Sequence, residues 1–153
     1  MQDRPTILEL LAAVRDFVAR HVVPALDGRR QFHARVAANV LAIVERELRD
    51  GDAQLREEWM SLRSLCMPVA EASGAAADLS GAHAPPPDDD VPPANPATLR
   101  AAVAALNADL AARIRSGDAD RGPFRDAVHR HLRTTIDDKL RIANPAYLEE
   151  ASR

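Results

Sequence analysis

Five histidines, one cysteine and twenty-three carboxylates are the side chains with which this 153-residue chain could do chemistry. Few of them fall into a spacing that chemistry requires. No His-Glu-x-x-His, no glycine-rich phosphate loop and no Gly-x-Ser-x-Gly occurs in the sequence, so the commonest hydrolase and nucleotide-binding devices are missing. A di-iron bundle needs two Glu-x-x-His pairs and two further carboxylates, and the nearest text is a lone Asp126-Ala127-Val128-His129. The single Cys66 excludes an intrachain disulfide and a cysteine-rich zinc site. It continues the run Leu55, Trp59, Leu62 and reads as a small core residue. With no nucleophile–base pair and no ligand set, the expectation is a non-enzymatic protein without cofactor or metal.

What remains is polar chemistry on apolar helix faces. At 100° per residue, His21 falls in the apolar sector of Val14 and Val18, and His33 falls among Val36, Val40 and Val44. An antiparallel hairpin turning near Pro24 and Gly28 would place both histidines at the same end, as half of a ligand or metal site. The plainer alternative is a helix-end imidazole that donates to a carbonyl or lays its ring on the surface. Glu47 shares the apolar side of the second helix and Asn39 flanks it. Tyr147, in Asn144-Pro145-Ala146-Tyr147-Leu148, reads as a cap folded back on the bundle or as a docking tail. These five residues are the candidate binding positions. Arg121, Arg125, His129 and Arg133 repeat every four residues on the last helix; a solvated face with an Arg133–Asp137 pair accounts for them better than an anion site does. The missing aromatic interleaving argues against nucleic acid.

The elements that must position these groups are helices. Thr6-Ile7-Leu8-Glu9 has the form of a capping box. Ile7, Leu11, Val14, Val18 and Val22 follow at helical steps, with Leu10 and Phe17 widening the stripe. Phe32, Val36, Val40, Ile43, Val44 and Leu48 mark a second helix closed by Gly51, and Asp52 is the expected N-cap of a third. Asn95-Pro96 opens a fourth, with Leu99, Val103, Leu106, Leu110 and Ile114, ending at Gly117. Pro123 opens the last, with Phe124, Val128, Leu132, Ile136 and Leu140, before Asn144-Pro145 stops it. The prediction is an all-α bundle of about five helices over 6–23, 29–50, 53–67, 96–116 and 123–143. The two junctions Arg49-Asp50-Gly51-Asp52-Ala53 and Arg115-Ser116-Gly117-Asp118-Ala119 read alike, as turns of two helical hairpins or as common helix punctuation.

Between the hairpins, residues 68–95 change character. Six of the eleven prolines lie between Met67 and Asn95, with Asp88-Asp89-Asp90 and no lysine or arginine; such a stretch is expected to be a mobile acidic linker within a single domain. The whole chain carries −3, yet this segment holds five acidic residues and no basic one, leaving the helical body slightly basic. No apolar run is long enough to span a membrane. Asp3 and Glu9 stand where a secretory signal would be basic and then apolar, so a cytoplasmic protein is expected.

Phe32-His33-Ala34-Arg35-Val36-Ala37-Ala38-Asn39-Val40-Leu41, the following Glu45-Arg46-Glu47-Leu48, and the terminal Lys139-Leu140-Arg141-Ile142-Ala143-Asn144-Pro145-Ala146-Tyr147-Leu148 resemble a family of small bacterial helical proteins described as a domain of unknown function. The resemblance covers the opening Pro5-Thr6 helix, the second helix and the C-terminal segment, and leaves out the Pro/Asp linker. Members are encoded beside, or fused to, aminoglycoside-phosphotransferase-like kinases, often near acyl-CoA dehydrogenases. The resemblance therefore implies an accessory or interaction domain for a phosphotransferase-like enzyme, acting as a single copy or a homodimer. It assigns no catalytic residue. The alternative is a helical bundle that holds an acyl or other small apolar ligand near His21 and His33.

Overall fold

The computed structural model describes residues 4–66 and 91–151; most of the expected 68–95 linker lies outside the described residues. Every regular element among the described residues is helical. Helix α1 (Ile7–Phe17) runs into a π-helical turn (Val18–Val22), followed by α2 (Gly28–Cys66), α3 (Pro96–Arg115), α4 (Gly122–Ala143) and a short α5 (Pro145–Ala151).

The helix starts follow their capping chemistry. Thr6 Oγ1 accepts from the Glu9 amide at 3.2 Å, and the Glu9 carboxylate accepts from the Thr6 amide at 2.7 Å, completing the box. Asn95 Oδ1 accepts from the amides of Ala97 and Thr98 at 2.8 and 3.3 Å, ahead of Pro96 in the first turn of α3. Gly117, at φ +92°, turns the chain out of α3.

Two boundaries depart from expectation. The second and third predicted helices are one 39-residue helix, α2, and Gly51 lies inside it without positive φ. Near-identical text thus makes a turn at Gly117 and unbroken helix at Gly51. The difference lies downstream. Gly117 is followed within six residues by Gly122-Pro123, which cannot continue a helix. Beyond Gly51 no proline occurs until Pro68, and Leu48, Leu55 and Leu62 keep helical phase across the glycine. One interior glycine costs about 1 kcal/mol against alanine, less than the burial that the continued helix secures. The second departure is at Asn144-Pro145, which interrupts the helix for a single residue and then opens α5 with Tyr147 upon it.

The chain forms two compact units, Met1–Gln54 with Ile136–Arg153, and Leu55–Thr135. The second unit holds the apolar core. Leu62 and Leu99 are fully buried there, with Trp59, Val103, Leu110 and Val128 around them, padded by Leu55, Leu65, Leu106 and Phe124. The stripe predicted for α3 is thus the inward one, except that Ile114 stays exposed. On α4 the buried positions of this unit are Val128 and His131, while Leu132 lies in water. Arg113 joins three parts of the unit: its guanidinium stands 3.9 Å from the Phe124 ring centre and donates to the Leu65 carbonyl and to Asp118. Cys66 is half-buried with its Sγ 3.6 Å from the Leu106 carbonyl. Burial pushes its thiol up, against the pull of the Arg113 cation, as suits a packed thiol.

Candidate functional site

The first unit is built differently. Of its described residues only Ala34 and Glu45 are buried. Helices α1 and α2 run antiparallel, a sense fixed by Gln31 donating to the Val23 carbonyl at 3.2 Å and by the ion pair of Arg15 with Glu45 further along. Leu8, Leu11, Val18 and Val22 of the first segment and Ala38, Leu41 and Ala42 of α2 are half-buried. The Glu45 carboxylate is met by both Arg15 and Arg49, the latter at 2.7 Å. A carboxylate this enclosed is held by two cations because an unpaired one would be expensive. Arg46 Nε donates to the Ile142 carbonyl at 2.6 Å, fastening the end of α4 to this pair.

This inward face is not the strongest apolar stripe of either helix. Ile7, Leu10, Val14 and Phe17 of α1 are 52–71% exposed, and Phe32, Val36, Val40, Val44 and Leu48 of α2 are 40–62% exposed. At 100° per residue the exposed stripe of α2 sits about 140° from the Ala34–Glu45 side, and that of α1 about 100° from its half-buried side. Because the helices run in opposite directions, these two rotations bring both stripes to the same side of the pair. Each helix is apolar on two faces, and only one is used within the unit. The site that results is an exposed apolar surface made of these two stripes, interrupted on α2 by polar side chains.

The five candidate residues distribute over this architecture as follows. His33 and Glu47 stand within the uncovered stripe of α2, both exposed. The His33 ring lies edge-on to Phe32 at 5.7 Å, and its Nε2 accepts from Arg29 Nε at 3.3 Å. His21 is exposed beyond the α1 stripe, its ring 5.7 Å from Phe17. Each histidine is therefore matched with a phenylalanine of its own segment. Asn39 is exposed at the edge of the stripe, and Tyr147 is 59% exposed on α5. Among the described residues no group of three or more His, Cys, Asp or Glu side chains is disposed to hold a metal ion. Arg121, just ahead of α4, and Arg125, His129 and Arg133 on it are all exposed.

Two polar constellations escaped the sequence reading. Ser61 Oγ lies 2.8 Å from Nδ1 of the buried His131, tying α2 to α4 inside the second unit. The pair is separated by seventy residues, and the only local signal was that His131 follows Val128 by three, on the same face. The other is the Asp16–Arg15–Glu45–Arg49 chain of ion pairs. Its hydrogen bond from Arg15 holds the Asp16 carboxyl below its ordinary range, and Asp16 in turn raises Arg15. Both constellations join helices.

The model of one protein family, the domain of unknown function DUF6285, matches residues 24–147, and the chain belongs to that family. The matched span includes the 67–90 segment and begins after the first helix, so it differs at both places from the extent inferred from sequence motifs. No curated protein matches the chain, and no solved structure does. Among the described residues no helix is long and apolar enough to cross a membrane.

Proposed function

Taking that membership as the premise, we propose that the protein is a non-enzymatic accessory domain that works by association, in the cytoplasm of a bacterium, as companion to a phosphotransferase-like enzyme. The observation that carries the reading is the uncovered apolar surface of α1 and α2. Large apolar side chains left exposed in this number on one helix pair mark an association surface. The stripes turn outward and do not enclose a cavity between the two helices, which favours a macromolecular partner over a small acyl ligand. The kind of enzyme comes from the setting in which resembling domains are encoded, beside aminoglycoside-phosphotransferase-like kinases.

Co-expression with the kinase encoded nearest to this chain tests the proposal. The expected result is co-purification of the two, and a change in kinase activity or stability when this chain is withheld. Separate elution, with kinase activity indifferent to this chain, would overturn it.

A further inference from the structure

The α1–α2 surface needs an occupant, and three observations identify it. The first is area. Nine large apolar side chains, each leaving roughly half its surface in water, amount to about 800 Å², the contribution of each partner to a standard stable interface. The second is what the rest of the chain can offer. The segment 67–90 contains only Met67, Val69 and Leu79 as large apolar residues, too few to cover nine.

The third is the pattern along α2. Phe32, Val36, Val40, Val44 and Leu48 are spaced evenly about Val40. A two-fold axis at Val40 sets Phe32 against Leu48 of a second copy, Val36 against Val44, and Val40 against itself. The same axis sets Ala37 against Ile43, small against large, as interlocking helices require. It also sets the two polar residues of the stripe, His33 and Glu47, opposite each other, and does so twice. Arg29, hydrogen-bonded to His33, adds positive charge beside the Glu47 of the second copy. One symmetry operation thus satisfies the apolar ridge and both of its polar interruptions.

Resting on the reading of this face as an association surface, we infer that its occupant is a second copy of this chain, docked antiparallel along α2 about a two-fold axis at Val40. The His33–Glu47 pairs set the register, because a shift by one turn in either direction breaks both of them. The accessory domain serves its enzyme as a pair.

Sedimentation equilibrium of the full chain, with circular dichroism to verify folding, is the test. The wild type is expected to be dimeric at micromolar concentration, and Val40→Asp, which enters the interface twice, to weaken the dimer by about 100-fold or more. Glu47→Arg is expected to weaken it by about 10-fold, and His33→Glu/Glu47→Arg to restore it to within about three-fold of wild type. Mild oxidation of Val40→Cys should give a linked dimer in high yield, while Arg35→Cys, off the stripe, and the wild type with its single Cys66 should not. Monomeric wild type at about 0.1 mM, failure of the double variant to restore association, or equal cross-linking at positions 35 and 40 would each overturn the inference. A monomeric wild type whose kinase partner is lost in Val40→Asp overturns the self-association alone and leaves the proposed function standing. A dimer that ignores the kinase does the reverse.

Discussion

Gly51 and Gly117 stand in nearly the same sequence, yet they should respond to alanine with opposite sign. Gly51 is in the interior of α2 with an ordinary helical φ, so Gly51→Ala gains the helix-propensity difference of about 1 kcal/mol. The added methyl would lie 2.9 Å from Oε1 of Glu47. That oxygen is the far end of an exposed, flexible side chain, which can swing aside for a few tenths of a kcal/mol. The net expectation is stabilisation by about 0.5–1 kcal/mol. Gly117 holds φ +92°, which an L-residue adopts only with strain, so Gly117→Ala should cost about 1–2 kcal/mol. For a chain of this size the two variants should melt roughly 4–8 °C apart. Thermal unfolding followed at 222 nm reads the difference, and urea unfolding checks it independently of temperature. A Gly51→Ala variant destabilised as much as Gly117→Ala would refute the unbroken helix and reinstate a turn at residue 51. Combining Gly51→Ala with Glu47→Ala isolates the propensity term, and that pair must not be less stable than Glu47→Ala alone.

Two further outcomes follow from the geometry. Leu62→Ala, at a fully buried position in the second unit, should cost about 3–4 kcal/mol in urea unfolding; a cost below about 1 kcal/mol would show that Leu62 is not central to that core. The Asp16 carboxyl is lowered in the folded state from its ordinary 3.8, so as pH falls the unfolded chain takes up its proton first. Its contribution to stability is present above that ordinary value and is lost as pH falls through the lower, folded one. Asp16→Asn should therefore differ from wild type at neutral pH and converge with it in acid; a gap that widens on acidification contradicts the Arg15–Asp16 pairing.

The fold class was legible because caps and periodicity are local. Thr6, Asn95 and Gly117 each act through atoms a few residues away, and a reader of sequence can place them. Gly51 was misread for the complementary reason: whether a glycine ends a helix depends on what the chain does beyond it, and α2 meets no proline for another sixteen residues. The α1 and α2 stripes were legible as apolar, but their direction was not. Leu8, Leu11, Ala38 and Leu41 form a second apolar side, and nothing in periodicity says which of two such sides turns inward. The burial of Glu45 required Arg15, thirty residues away in sequence, to be seen beside it.

The Arg46–Ile142 hydrogen bond has a bearing on the order in which the molecule comes together. It closes a span of ninety-six residues, and the unit it belongs to is assembled from both ends of the chain, whereas Leu55–Thr135 is one uninterrupted stretch. Closing a longer loop costs more entropy, and a chain emerging from the ribosome carries α1 and the first half of α2 long before it carries α4. We expect the Leu55–Thr135 unit to form first. The twin apolar stripes of α1 and α2, which the last helices leave exposed, would then stand in water from early in synthesis, where a nascent neighbour or a chaperone can meet them.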